Sequence, residues 1–342
     1  MGSTTELLVV QPHRASLTAS GAAEDNGGMA ADPLTSTYVA LDVGGTFLKG
    51  ARVDGAGRVL ERLHQPIVRD GIGGLLDQLA RAVDLLDPAA DAAAVGIGIP
   101  GIVHQSSSRV LACPNLPLLN GFSLGMEMAH RSGRPVFLEN DANAAALAEA
   151  WLGAGRGAEN LILVTLGTGV GGGLILRGRI WSGISGYAGE IGHIHVDPAG
   201  VPCGCGSRGC LETVAGIAGW RRRAEQLIPT RGSALAGLAL DPTHIVDAAK
   251  AGDAVAIEVV DGVARALGIG ISAVLLLLNL DRVVIGGGVA GAGRFLLDRI
   301  VDHTRRRVFS QVLAECSFAL AELGTDAGVV GAARVAMVGV EG

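Results

Sequence analysis

Cys203, Cys205 and Cys210 crowd into one short glycine-rich loop, and His193 precedes the first of them by ten residues. Thiolate sulfur and imidazole nitrogen are donors that tetrahedral Zn²⁺ favours, and Cys₃His is a closed, structural combination. Gly204, Gly206 and Gly209 let the loop fold back so that three sulfurs can converge. The competing reading is a disulfide, or small residues in a tight turn. A single residue separates Cys203 from Cys205, which makes a strain-free bridge between them difficult. Three thiols with an upstream histidine have few other uses, so a metal loop is expected. Glu190 lies three residues before His193 and Glu212 two after Cys210. Carboxylates so placed can orient metal ligands.

A second constellation is Glu139-Asn140-Asp141-Ala142-Asn143, directly after the apolar run Pro135 to Leu138. Asp or Asn at a helix start is ordinarily an N-cap. Four polar residues at the carboxyl end of a buried strand also stand where open α/β sheets bind ligands.

Glycine turns supply the third kind of chemistry. Asp42, Gly44, Gly45 and Thr46 form D-x-G-G-T, in which the backbone can approach a phosphate closely, Thr46 can donate a hydroxyl hydrogen bond and Asp42 can engage hydrated Mg²⁺. Lys49, in the strand that follows, joins this element as a candidate cofactor-binding residue. A turn alone explains a Gly-Gly pair equally well. Gly167, Thr168 and Gly169 repeat the pattern about 120 residues later, which suggests an internal duplication with two turns offered to one cleft. Gly286, Gly287 and Gly288 follow a short apolar run and can admit a base or ribose.

The elements that must position these groups follow from patterning. Residues 38–67 and 160–181 each read as strands joined by glycine turns. Ala94 to Gly101 reads as a buried strand ending in a Pro-Gly turn, and Cys113 to Pro117 as a loop. A helix is expected from the E-N-D-A-N stretch to about Trp151, another over about 254–277, a strand over Arg282 to Ile285 and a last helix over Ala327 to Met337. Val274 to Leu278, the most apolar run, is too short to span a bilayer and reads as the end of a buried helix. Residues 1–36 lack periodicity and are expected to be a disordered tail.

A chain of 342 residues has room for two domains. It is 49% hydrophobic with 53 glycines, but only 3% aromatic, which suits a loop-rich α/β protein with an aliphatic core. A net charge of −6 argues against nucleic acid as the main partner, and Arg221 to Arg223 and Arg305 to Arg307 read as solvated helix faces. Cys113 and Cys316 are left as buried free thiols, an odd count that fits a reducing cytoplasm, and no membrane partner is expected.

His193 with C-x-C-G-x-x-G-C-x-E resembles the signature of the ROK family of sugar kinases and sugar-responsive repressors. The resemblance runs over residues 38–337 and implies an α/β fold of two actin-like ATPase (ribonuclease H-like) domains flanking a central cleft. It implies a small domain over 37–138, a large one over 139–326 carrying the zinc loop, and a final helix, 327–342, packing back on the small one. By the same resemblance Asp141 is the general base, Asn115, Asn140, Asp141, Glu190, His193 and Glu212 hold a hexose, and His193, Cys203, Cys205 and Cys210 hold structural Zn²⁺. Asp42 to Thr46, Gly167 to Gly169 and Gly286 to Gly288 then bind MgATP. Glucose is the first expected substrate, with fructose, N-acetylmannosamine and N-acetylglucosamine as alternatives, and the family assembles as homodimers. Family repressors carry a helix-turn-helix ahead of the sugar-binding part, for which residues 1–36 are too short and glycine-rich. A sugar sensor without catalysis is therefore the weaker reading. Leu118-Leu119 stands where the family often has a tryptophan, a change expected at the pocket wall.

Overall fold

The structure, a computed structural model, describes residues 36–341; all but Ser36 of the expected tail lies outside the described residues. Strands β1 (Thr37–Val43), β2 (Phe47–Asp54) and β3 (Val59–Pro66) form an antiparallel meander. In its second turn the Asp54 carboxylate accepts the Ala56 and Arg58 amides at 3.0 and 2.9 Å, the local closure that makes Asp a turn former. Helix α1 (Ile72–Leu86), apolar along one face, brings the chain back so that β4 (Ala94–Ile99) pairs parallel with β1. All six β4 residues are buried, which is why the strand reads as an unbroken apolar run. A small hairpin, β5 (Ile102–His104) and β6 (Arg109–Ala112), and helix α2 (Leu124–Ser132) precede β7 (Val136–Asn140). The sheet order is β3-β2-β1-β4-β7.

Helix α3 (Asp141–Leu152) leads into a second meander, β8 (Leu161–Leu166), β9 (Val170–Leu176) and the short β10 (Arg179–Ile180). Helices α4 (Leu211–Ala215), α5 (Ile217–Arg231), α6 (Pro242–Lys250) and α7 (Ala254–Leu278) follow. Then β11 (Arg282–Gly286), α8 (Arg294–Arg305), α9 (Ser310–Glu315), β12 (Ser317–Leu320) and α10 (Ala327–Glu341) complete the chain. The order β10-β9-β8-β11-β12 repeats the first sheet: a meander, then two strands added in parallel. The matching orders are what a duplication requires, and each meander carries one of the two glycine turns.

Small residues decide how the layers meet. At Gly331 of α10 an added Cβ would lie 2.0 Å from the Ala144 carbonyl of α3, and at Gly96 of β4 one would lie 1.8 Å from the Ala332 carbonyl. Helix α10 therefore lies directly against both α3 and β4, and the alanine-rich helices pack through backbone rather than through large side chains. Aliphatic residues of β8, β11 and α4 to α8 make the largest core cluster.

One expectation is corrected here. The leucine run at the end of α7 is not buried: Leu275 is, but Leu277 is 82% exposed and Leu276 and Leu278 are exposed as well. Four consecutive leucines sample every face of a helix, and only the face of Leu275 meets the core. Helix α7 is long and apolar enough to cross a membrane, yet 61% of that span is buried inside the protein, as befits a core helix. Cys113 and Cys316 are buried free thiols as expected. Leu119 is fully buried, and the half-buried Leu118 packs against the same core cluster.

Candidate active site and metal loop

Strand β7 ends at Asn140 and α3 begins at Asp141, so a strand's carboxyl end and a helix N-terminus coincide. Asn140 is the N-cap: its Oδ1 accepts the Ala142 and Asn143 amides at 2.9 and 3.1 Å, while its Nδ2 donates to the Gly101 carbonyl at 3.0 Å. Capping thus accounts for Asn140. Asp141 remains: its Oδ1 accepts the Ala142 amide at 2.8 Å. Burial, then repulsion from Asp42 and Glu190, pushes its carboxyl up to about 7. Carboxylates from two other elements therefore lie near enough to Asp141 to repel it.

Asp42 comes from the first glycine turn. It pairs in register with Lys49, whose Nζ stands 3.9 Å from Oδ2. Burial raises the Asp42 carboxyl above its usual range, with Lys49 pulling the other way. The Gly44 amide closes the turn on the Phe47 carbonyl at 2.9 Å, and Thr46 is exposed. Gly45 backs onto Asn115, where an added Cβ would lie 3.2 Å from the Asn115 Cβ. Two neighbours carry no local sequence signal: Gly328 of α10 packs against the Asp42 carboxylate, and the Arg69 guanidinium donates to the Gly45 carbonyl.

The second turn is tied to Glu212. An added Cβ on Gly169 would fall 2.2 Å from the Glu212 Oε2, which accepts the Val170 amide at 3.2 Å. Gly167 closes that turn on the Gly169 carbonyl at 3.0 Å, with Thr168 at its tip. Gly287 lies against the backbone of Leu166, so the triple glycine adjoins the second turn. Gly288, Val289 and Gly291 line a small recess with Pro242, Val246 and Asp247 of α6, a helix the sequence did not single out.

The ligand atoms of His193, Cys203, Cys205 and Cys210 all lie within 4.8 Å of one another. The Cys203 Sγ stands 3.6 Å from the His193 Nδ1 and the Cys205 Sγ 3.7 Å from the Cys210 Sγ. A zinc tetrahedron with bonds of about 2.3 Å to sulfur and about 2.0 Å to nitrogen has edges of about 3.8 and 3.5 Å. The four side chains fit the ion in donor type and spacing. With Nδ1 turned to the thiols, the His193 Nε2 faces Glu190, 3.8 Å from its Oε2. Burial raises the Glu190 carboxyl, His193 opposes that, and Glu212 adds to it. His195 is exposed and forms a backbone bridge with Cys210.

Asp42 of the first turn and Glu190 therefore act on Asp141 through their charge, Glu212 acts on Glu190 and touches the second turn, and His193 joins Glu190 to the metal loop. The ROK family model matches residues 38–338. The chain is 38% identical over 309 residues to the glucokinase of Halalkalibacterium halodurans, covering 86% of this chain and 93% of that one. The ROK hexokinase of Thermus thermophilus superposes with a TM-score of 0.79 at 34% identity, covering 89% of this chain and 99% of that one. A ROK glucokinase from Streptomyces griseus, solved with glucose and AMPPNP, gives 0.74 at 35% identity, covering 88% and 99%. Sequence signature, paired meanders and these likenesses agree: the chain belongs to the ROK family.

Proposed function

We propose that the chain is an ATP-dependent hexose kinase that phosphorylates glucose. One observation supports the reading: the Asp141 carboxyl, at the strand end where α3 begins, is raised to about 7 by burial and by Asp42 beside the first glycine turn. A general base works best with its pKa near the working pH. Asn115, Glu190, His193 and Glu212, with the one amide hydrogen that capping leaves on Asn140, would grip the sugar hydroxyls and present the primary one to Asp141. Asp141 takes the hydroxyl proton as the oxygen attacks the γ-phosphate of ATP, and ADP leaves. Gly44, Gly45, Thr46, Gly167, Thr168 and Gly169 offer backbone amides and hydroxyls to the phosphates, with Lys49 nearby. The recess at Gly288, Val289 and Gly291, into which Gly286 and Gly287 lead, would take the adenosine.

The half-buried Asp42 carboxylate would hold hydrated Mg²⁺, which when bound would draw charge off the phosphates. Zinc held by His193, Cys203, Cys205 and Cys210 is structural, because the set is closed to a fifth reactant. Bound there, it would fix the imidazole whose other nitrogen faces Glu190. Residues 37–138 with the final helix, and residues 139–326, would be two domains that close over the substrates and exclude water. Homodimerisation and a cytoplasmic location belong to the same proposal. Size-exclusion chromatography with light scattering tests the dimer.

The test is ADP release from MgATP with glucose, fructose, mannose, N-acetylmannosamine and N-acetylglucosamine against a sugar-free blank. Strong turnover on glucose is expected. Preference for another sugar would reassign the substrate, and blank-level rates throughout would overturn the kinase reading.

A further inference from the structure

Glu139 is a buried carboxylate that the chemistry above does not use. It is 2% exposed, yet sits one residue from the Asn140 cap and two from Asp141. Its Oε1 accepts the Asn140 amide and the Asn143 Nδ2, both at 2.9 Å. Its Oε2 accepts the side-chain amide of Gln105, an exposed residue in the single 3₁₀ turn that joins β5 to β6. One carboxylate thus spans two pieces of chain that are 34 residues apart.

The hairpin so held touches the site in three further places. Its entry, Gly101, accepts the Asn140 side chain. The Val103 carbonyl lies against Gly186, where an added Cβ would fall 2.3 Å away, on the loop that leads to Glu190. Its exit, Ala112, runs through Cys113 to Asn115, which packs on Gly45. Movement of the hairpin therefore shifts the surroundings of Asn140, Gly186 and Asn115.

We propose that Gln105 and Glu139 are positioning residues: a latch that clamps the β5–β6 hairpin to the helix bearing the base and so fixes the wall that receives the sugar. The inference rests on the kinase reading for what the wall receives, but not for the latch itself. A charged acceptor strengthens such a bond, and burial of Glu139 makes an unpaired oxygen costly. The atoms also predict which change is tolerated. In E139Q the Oε1 can keep both α3 donors while its new amide donates to Gln105, whose own amide turns over to present oxygen. In E139A all three bonds are lost. Gln105 is exposed, so Q105A removes the latch without opening a cavity.

The experiment pairs steady-state kinetics with hydrogen exchange on zinc-loaded, full-length protein. For Q105A, a roughly tenfold rise in hexose KM is expected, with ATP KM within twofold and an unshifted pH profile. E139A should lose more, and E139Q should recover most of that loss. Amides of residues 102–112 should exchange faster in Q105A and E139A than in wild type, with no substrate present. Wild-type kinetics and exchange in Q105A would overturn the latch, as would an E139Q as impaired as E139A. Were wild-type protein inactive on every hexose, the kinase reading would fall, while the exchange comparison would still decide the latch.

Discussion

Replacing Asp141 with Asn should make the protein more stable while disabling it. The Asp141 carboxyl sits at about 7 in the folded protein against an ordinary 3.8. The gap of roughly 3 units corresponds to a cost of about 4 kcal/mol when the group is ionised. The sign follows from which state holds the proton. Because the folded pKa is the raised one, the native state keeps the proton that the unfolded chain has released. Stability attributable to this group is full below pH ~4 and is lost as pH rises through about 7. Asn carries no charge and can still accept the Ala142 amide through its Oδ1, as Asp141 does at 2.8 Å. At pH 8 the variant should gain up to about 4 kcal/mol. Local relaxation in the wild type makes that a ceiling, with roughly 1–3 kcal/mol expected. At pH 5 the same arithmetic leaves at most about 1.7 kcal/mol, and near pH 4 only about 0.5 kcal/mol. The assay is denaturant unfolding followed by circular dichroism at pH 5 and pH 8, zinc-loaded and without substrates. In parallel, kcat with MgATP and glucose should fall by about 10²–10⁴. A D141N protein no more stable than wild type at pH 8, or a gain that does not shrink on acidification, would refute the reasoning.

Three further expectations concern the frame around the site. Chelating the metal should release about one zinc per chain and lower the melting temperature together with glucose affinity, measured by atomic emission, calorimetry and titration; loss of activity with stability intact would instead mark a catalytic ion. Gly331→Ala should destabilise by roughly 2–4 kcal/mol, since its Cβ would lie 2.0 Å from the Ala144 carbonyl and two helices must part to admit it; an unchanged urea midpoint would contradict that packing. Glu149→Ala should cost roughly 2–4 kcal/mol by leaving the Ala154, Glu322 and Leu323 amides, now bonded at 2.8, 3.1 and 2.9 Å, without their buried acceptor; thermal melts would show it, and a shift under one degree would count against it.

What the sequence made legible is what lies close together along it. The metal loop and both glycine turns are each a few consecutive residues whose chemistry depends on spacing alone. The duplication was legible because strand, turn and strand recur in order, and the two sheets repeat that order. Asn140 shows where local reading divides: capping and sugar contact predict the same residue type, and the hydrogen bonds show the cap. Contacts made only by folding stayed hidden. Nothing near Arg69 announces its bond to the Gly45 carbonyl, and Gln105 gives no hint of Glu139. The leucines ending α7 misled because apolarity reports burial only when a partner surface is present, and three of the four project outward.

The measurement that bears most directly on the account is kcat/KM for the preferred hexose as a function of pH, for wild type and D141N. Asp141 as a base with a carboxyl at about 7 predicts a wild-type rate that climbs tenfold per pH unit below that value and levels off above it. The residual rate of D141N should lack that step. A flat wild-type profile from pH 6 to 8.5, or a D141N protein that keeps both the step and the rate, would contradict the assignment of the proton to Asp141.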